Sequence, residues 1–293
     1  MALSKVLIFG STGMLGSSLC PYLLAKGHQV LTAGRVESST ILFEGSKVSP
    51  SFYENVARLQ PEVIINLIAA TNVDQCERLP ELAYELNSEV VKAIAGVNLV
   101  CKTYTPHIIH ISTDQVYAGL GPHKEARPRP CNVYGASKLA GEKWVLEVGG
   151  TVLRTNFVGA SRNVGRDGFT DWLIKSNLSK LPINVLEDVL FSPGHINDVC
   201  EAIDLVLKYP RGGIYNFGSQ TAISKSEFSF AFIEGLNLAS DLLKKSRLDD
   251  LSLLAQRPND MSMDVSLFEK NFTYKCPTIF DVIKKCIKDY QYE

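Results

Sequence analysis

The stretch KVLIFGSTGMLGSSL, residues 5–19, decides the fold. Four apolar residues, Val6-Leu7-Ile8-Phe9, run into glycine at positions 10, 13 and 16. A short apolar run closed by a turn reads as a buried strand. From Gly13 to Ala25 the apolar spacing becomes helical. Strand, glycine-rich turn and helix in that order open a dinucleotide-binding sheet. Gly10 allows the tight turn, Gly13 lets backbone approach a pyrophosphate, and Gly16 lets helix and strand pack closely. The helix start then offers free N–H groups and a positive dipole end to phosphate. Gly10, Thr12, Gly13, Met14, Leu15 and Gly16 are the cofactor contacts expected here.

Working outward, Val30–Ala33, Val63–Ile68, Ile108–Ile111 and Thr151–Arg154 repeat the strand pattern. Helical stretches separate them. One is a long amphipathic stretch over 81–100, with Leu82, Leu86, Val90, Ile94 and Val97 at helical steps; another runs from Tyr134 to Val148. Apolar strands alternating with helices predict a parallel sheet covered on both faces. The expected fold is α/β: a Rossmann-type doubly wound parallel sheet over 1–155, with 156–293 completing the sheet and forming a smaller C-terminal substrate-binding lobe. In that second region the pattern predicts a helix at Ile196–Lys208, a strand at Ile214–Phe217, and a helix opened by a Ser224/Glu227 capping box. Residues 121–130 and 256–262 read as loops.

Bulk properties narrow the function. The 293 residues carry a formal net charge of −1, so no global field draws in nucleic acid or an anionic membrane. No apolar run reaches the roughly 18 residues of a spanning helix, and the N-terminus lacks the pattern of a signal peptide. A cytoplasmic location is expected. The seven cysteines form no CxxC pair and read as reduced thiols; the five histidines show no metal-ligand spacing, so no metal is expected. His107 and His110 flank a buried strand and read as structural.

The end of the second strand bears on cofactor choice. It reads Ala33-Gly34-Arg35, with no acid before Glu37 to bind ribose hydroxyls. An arginine there can pair with a 2′-phosphate, which favours NADP over NAD. Alternatively, Arg35 is a surface residue that only stacks on adenine.

Further on, NVYGASKLAGE at 132–142 sets Tyr134 four positions ahead of Lys138, on one helix face. A cation beside a phenol favours phenolate, and a phenol so tuned can exchange protons with an alcohol–carbonyl pair. The small neighbours Gly135, Ala136, Ser137, Ala140 and Gly141 would leave room for a nicotinamide ribose and a substrate. Alone, the pair could be an ordinary solvated Tyr–Lys pair. Upstream, however, the strand at 108–111 ends in Ser112-Thr113, where a hydroxyl can polarise a substrate carbonyl.

Together these features resemble the extended short-chain dehydrogenase/reductase family, and within it the dTDP-4-dehydrorhamnose reductases and their sugar-nucleotide relatives. The narrower resemblance is carried by GSTGMLGSSL (10–19), NLIAATNVDQCE (66–77), STDQVYAG (112–119), NVYGASKLAGE (132–142), VLRTNFVG (152–159), FSPGHINDVCEAI (191–203), GIYNFGS (213–219) and RPNDMSMD (257–264). It implies hydride transfer from NADP, or NAD, to C4 of a nucleotide-linked 4-keto-6-deoxy sugar, in deoxysugar or cell-surface polysaccharide biosynthesis. Tyr134 would donate the proton, Lys138 would lower the Tyr134 pKa and hold the ribose, and Thr113, with Ser112 as the alternative, would supply the hydroxyl. Segment 67–71, including Ile68, Ala69 and Ala70, would border the cofactor. Asn156 and Phe157 would line the sugar pocket and Arg257 would lie near the substrate lobe, although Phe157 reads equally as core and Arg257 as a partner of Asp260. The partner is then a nucleotide sugar, with a homodimer as the assembly considered. The sequence departs from its relatives at Gln115, where many carry an aromatic residue, and at LFEGSKVSP (42–50), where Glu44 is the only acid. Two other functions fit the same resemblance: a sugar-nucleotide epimerase, and a non-catalytic dinucleotide-binding subunit like the regulatory beta subunit of methionine adenosyltransferase.

Overall fold

The computed structural model describes residues 3–101, 104–163 and 165–291. The apolar runs found in the sequence become the strands of one parallel sheet. The first half contains β1 (Lys5–Phe9), α1 (Met14–Ala25), β2 (Gln29–Gly34), β3 (Ile41–Leu42), α2 (Pro50–Leu59) and β4 (Val63–Asn66). It continues through α3 (Val73–Arg78), α4 (Pro80–Tyr84), α5 (Val90–Val100), β5 (His107–Thr113), α6 (Val133–Glu147) and β6 (Thr151–Thr155). The chain then runs through β7 (Phe157–Val158), α7 (Phe169–Leu178), β8 (Ile183–Leu186), β9 (Leu190–Phe191), β10 (Gly194–His195), α8 (Ile196–Lys208) and β11 (Gly213–Phe217). Last come β12 (Ile223–Ser224), α9 (Lys225–Gly235), β13 (Leu243–Ser246), β14 (Asp260–Met261), α10 (Ser266–Phe272) and α11 (Ile279–Gln291).

The large sheet has the order β11-β6-β5-β4-β1-β2-β3, with every neighbour parallel. Parallel strands need crossovers, and the helices supply them on both faces. One face is closed by α1 and α8, where Leu19, Leu23, Val199 and Ile203 pack on Val6, Ile8 and Ile109. The other is closed by α2 and α5 around Leu7, Phe9, Ile64 and Ile108. The strand order reverses between β1 and β4, so the crevice beyond their carboxyl ends is where a ligand enters such a sheet.

The remaining strands form three small sheets, β10-β7, β12-β9-β14 and β13-β8. With α7, α9 and α11 they enclose a separate apolar core that includes Leu173, Val185, Phe191, Phe228, Phe232 and Val282. This is the smaller lobe. The Ser224/Glu227 capping box forms as expected, with reciprocal bonds of 3.0 and 3.1 Å. The 256–262 stretch is not wholly loop, because Asp260 and Met261 pair with β9.

The amphipathic stretch expected over 81–100 is helical throughout, but it is not a regular α-helix. Between α4 and α5 the residues Glu85–Glu89 form a π turn. The physical reason is Asn87, which turns inward. Its side chain accepts from the Ala70 N–H at 2.8 Å, and its amide donates to the Ala70 carbonyl at 3.2 Å and to Ser137 Oγ at 2.9 Å. A wide turn at a buried polar residue places that side chain where a regular helix would not.

Candidate active site

The glycine turn behaves as its spacing predicts. Gly10 has φ +83°, a conformation L side chains rarely adopt, and a Cβ there would meet the Leu67 carbonyl carbon at 3.0 Å. A Cβ on Gly16 would stand 2.3 Å from the Gly10 carbonyl oxygen, so helix and turn touch only because that position is bare. Helix α1 starts after Gly13 with no side chain capping its first turn and no acid in it. Its free N–H groups face the crevice mouth, which suits an anion.

Two connected cavities open there. The larger, about 810 Å³, is lined by Gly10, Gly13, Met14, Leu15 and Gly16 on one side and by Thr113, Tyr134, Lys138 and Phe157 on the other. The smaller, about 290 Å³, is lined by Thr12, Arg35, Ser39, Glu44, Ile68 and Ala69. The cavities share Gly10, Gly13, Leu67, Ala69 and Arg166. In the smaller one, Ser39 Oγ is buried without a hydrogen-bond partner, and Arg35 lines the same cavity. An orphaned hydroxyl, an arginine and a bare glycine cradle lining one cavity together fit a dinucleotide with its phosphates at the turn.

The ends of β5 and α6 build the reacting side. Thr113 Oγ1 accepts from the Gln115 N–H at 3.2 Å, which fixes the turn leaving the strand. Helix α6 is capped by Asn132, whose Oδ1 accepts from the Gly135 N–H at 2.8 Å. Tyr134 lies in its first turn and Lys138 one turn on, both buried. Lys138 Nζ donates to the Ile111 carbonyl at 2.6 Å and lies 3.3 Å from His110 Nε2.

The electrostatics differ from the sequence reading. Burial first, then the charge of Asp114, raises the Tyr134 pKa, while the Thr113 hydroxyl acts the other way. The expectation that Lys138 draws the phenol down is not met: the Lys138 head is turned to β5, and burial lowers its own pKa to about 8. Tyr134 is therefore a protonated phenol at neutral pH. Asp114 is pushed up to about 6 by burial, against the Asn156 amide that donates to it at 2.7 Å.

The small residues on α6 also serve a different end. None of Gly135, Ala136, Ser137, Ala140 and Gly141 lines the large cavity. A Cβ on Gly135 would stand 2.2 Å from the Gln115 carbonyl oxygen, and one on Gly141 2.1 Å from that of Asn87. Gly135 and Gly141 thus allow close packing of α6. Ser112 donates to Glu142, and Glu142 pairs with the fully buried Arg154 at 2.5 Å. Ser112 Oγ is thus committed to that network, and Thr113 is the hydroxyl in contact with Tyr134.

Some expected residues stand back from the cavities. Ala70 lies in the small cluster under Tyr134 with Cys76 and Ala83. Asn156 spends its amide on Asp114. Arg257 pairs with Asp74 at 3.0 Å, not with Asp260, because the 253–257 segment folds onto α3. Gln115 accepts from the Asn132 amide at 3.1 Å and braces the start of α6. Sequence reasoning missed Arg166, which lines both cavities from a segment lying over the glycine turn, where the Asn163 amide donates to the Thr12 carbonyl. Its only signal was an arginine in a glycine-rich loop after β7.

The family described as RmlD substrate binding domain matches residues 4–292. The chain belongs to this family. It is similar to the probable low-salt glycan biosynthesis reductase Agl14 of Haloferax volcanii, 29% identical over 297 residues, covering 97% of this chain and 98% of that one. It is also similar to the dTDP-4-dehydrorhamnose reductase of Salmonella typhimurium, 29% identical over 289 residues and 93% of each chain. The crystal structure of dTDP-4-dehydrorhamnose reductase from Bacillus anthracis, in complex with NADP, superposes with a TM-score of 0.87 at 24% identity, covering 98% of this chain and 100% of that one. That likeness shows the fold. Among the described residues of this RmlD-family chain, no helix is long and apolar enough to cross a membrane.

Proposed function

We propose that the protein reduces the 4-keto group of a nucleotide-linked 4-keto-6-deoxy sugar with NADPH, in deoxysugar or cell-surface polysaccharide biosynthesis. The observation that carries this reading is the convergence of Thr113, Tyr134 and Lys138 on the cavity floored by the glycine turn. The names of the Salmonella and Haloferax relatives support the substrate class. The nicotinamide, when bound, supplies the hydride.

The chain's own residues do the rest. Gly10, Gly13 and the first turn of α1 hold the pyrophosphate by backbone N–H groups. Arg35, with the unpartnered Ser39 hydroxyl, receives the 2′-phosphate, which selects NADP. Thr113 hydrogen-bonds the substrate carbonyl oxygen and holds it near Tyr134. Tyr134 gives its proton to that oxygen as negative charge develops there. A phenol that burial keeps protonated is in the correct state to donate. Lys138 holds the ribose. Phe157, on the cavity wall, packs on the apolar face of the sugar.

The test is NADPH oxidation across a panel of nucleotide-linked 4-keto sugars, with NADH alongside. Consumption of NADPH with one of them, faster than of NADH, is expected. Tightly held cofactor with no consumption, and interconversion of sugar epimers instead, would replace reduction with epimerisation.

A further inference from the structure

The two connected cavities are lined by different cations. Lys138 lines the larger alone, Arg35 the smaller alone, and Arg166 lines both; among the described residues no other lysine or arginine lines either. Arg166 thus stands where the cavities join, with Gly10, Gly13, Leu67 and Ala69, which they also share. It comes from a segment tied down on both sides. Asp171 on α7 accepts from the Ser161 N–H at 3.2 Å and from the Gly168 N–H at 2.7 Å, and the Tyr290 hydroxyl of α11 lies 2.7 Å from the same carboxylate. Between these anchors the Asn163 amide donates to the Thr12 carbonyl, and the Arg166 N–H donates to the Asn163 carbonyl at 3.2 Å. A Cβ on Gly168 would stand 2.6 Å from Met14 Cε, so the segment rests on the first residue of α1. The Arg166 side chain is exposed and has no ion-pair partner among the described residues; Asp167 beside it is paired with Lys175 at 2.5 Å.

A dinucleotide is two nucleosides joined by a pyrophosphate. Where the nucleosides occupy two connected chambers, the pyrophosphate lies at the junction. That group is a dianion, whereas the glycine turn offers it only neutral N–H groups and a helix dipole worth about half a positive charge. We propose that Arg166 is the cation that binds the cofactor pyrophosphate, reaching over it from the second half of the chain, so that the dinucleotide is held between the glycine turn and Gly165–Gly168. This rests on the reading of the crevice as a dinucleotide site. A guanidinium engages two phosphate oxygens at once through paired N–H bonds, which suits a side chain with no carboxylate of its own. The pyrophosphate is common to NADP and NAD, and the 2′-phosphate is not. Arg166 therefore sets how tightly either cofactor is held, and Arg35 sets which of them is preferred. Through Asp171 the same segment is fastened to α7, so the residue that closes over the cofactor is carried by the smaller lobe.

Isothermal titration calorimetry with NADPH and with NADH tests this without turnover, on the native protein and on Arg166→Met, Arg166→Lys and Arg35→Met. Arg166→Met should raise the Kd of both cofactors by the same factor, about tenfold or more. Arg166→Lys keeps the charge but not the paired bonds, and should restore part of the loss. Arg35→Met should weaken NADPH alone. Because Arg166 is exposed and unpaired, its unliganded variants should melt at the native temperature, which separates lost binding from lost fold. An unchanged Kd for both cofactors in Arg166→Met would overturn the inference and leave the dinucleotide site standing. A loss confined to NADPH would assign Arg166 to the 2′-phosphate and overturn it as well. Native protein that binds neither cofactor would instead remove the dinucleotide reading itself, and the inference with it.

Discussion

Tyr134 and Asp114 show how burial sets the chemistry of single residues here. Both are nearly inaccessible, and both are held toward their neutral, protonated forms. For Asp114 the folded pKa of about 6 exceeds the ordinary aspartate value of 3.8, so the folded state binds the extra proton. Its stabilising contribution is complete below pH 4 and is lost as the pH rises through 6. Asp114→Asn should therefore raise the unfolding free energy measured in urea at pH 7 by on the order of 1 to 3 kcal/mol, with the difference closing toward pH 4. The Tyr134–Lys138 spacing was legible because helical period alone puts the two on one face. The direction of the Tyr134 shift was not. It comes first from burial, while Lys138 Nζ turns to the Ile111 carbonyl on another strand.

At the scale of elements, α6 is the part most constrained by its neighbours. Its glycines lie where a carbonyl from a neighbouring segment comes within a bond length or two of the missing Cβ. Gly141→Ala would place a methyl 2.1 Å from the Asn87 oxygen. It should cost about 1 to 3 kcal/mol in urea denaturation and lower kcat by shifting Lys138. The helix is also tied to β5 and β6 by Glu142, which accepts from Arg154 at 2.9 and 2.5 Å. Arg154→Met strands a buried carboxylate and should cost about 3 to 5 kcal/mol, whereas Glu142→Met with Arg154→Met should cost less than the single change. Circular dichroism melts of both variants check this. Strand and helix positions were readable from apolar period, as at Ile196–Lys208. The π turn at Glu85–Glu89 was not, since Asn87 is pulled in by Ala70 and Ser137, far away in sequence.

For the whole molecule, the ligand site is an interface between segments remote in sequence. The glycine turn, the end of β5, the start of α6, Asn163 and Gly165–Asp167 meet at one crevice. Only the first three announce themselves by local motifs. Arg166 and the Asp74–Arg257 tie depend on how the second half of the chain folds back, and no periodic signal encodes that. Because one ligand spans all these segments, its binding should stabilise the fold as a unit. NADPH at about a hundredfold excess over its dissociation constant should add about 2.7 kcal/mol of stability. NADH at the same concentration should add less, as read by thermal shift.

The central claim is that Tyr134 protonates a sugar oxygen as hydride reaches the adjoining carbon. It is tested by reduction of a nucleotide-linked 4-keto sugar with NADPH deuterated at the transferring position, with product NMR, for the native protein and for Tyr134→Phe. The account predicts deuterium at sugar C4 with the native protein, and a loss of at least about a hundredfold in rate for the variant with cofactor affinity retained. Deuterium transfer by Tyr134→Phe at the native rate would contradict it.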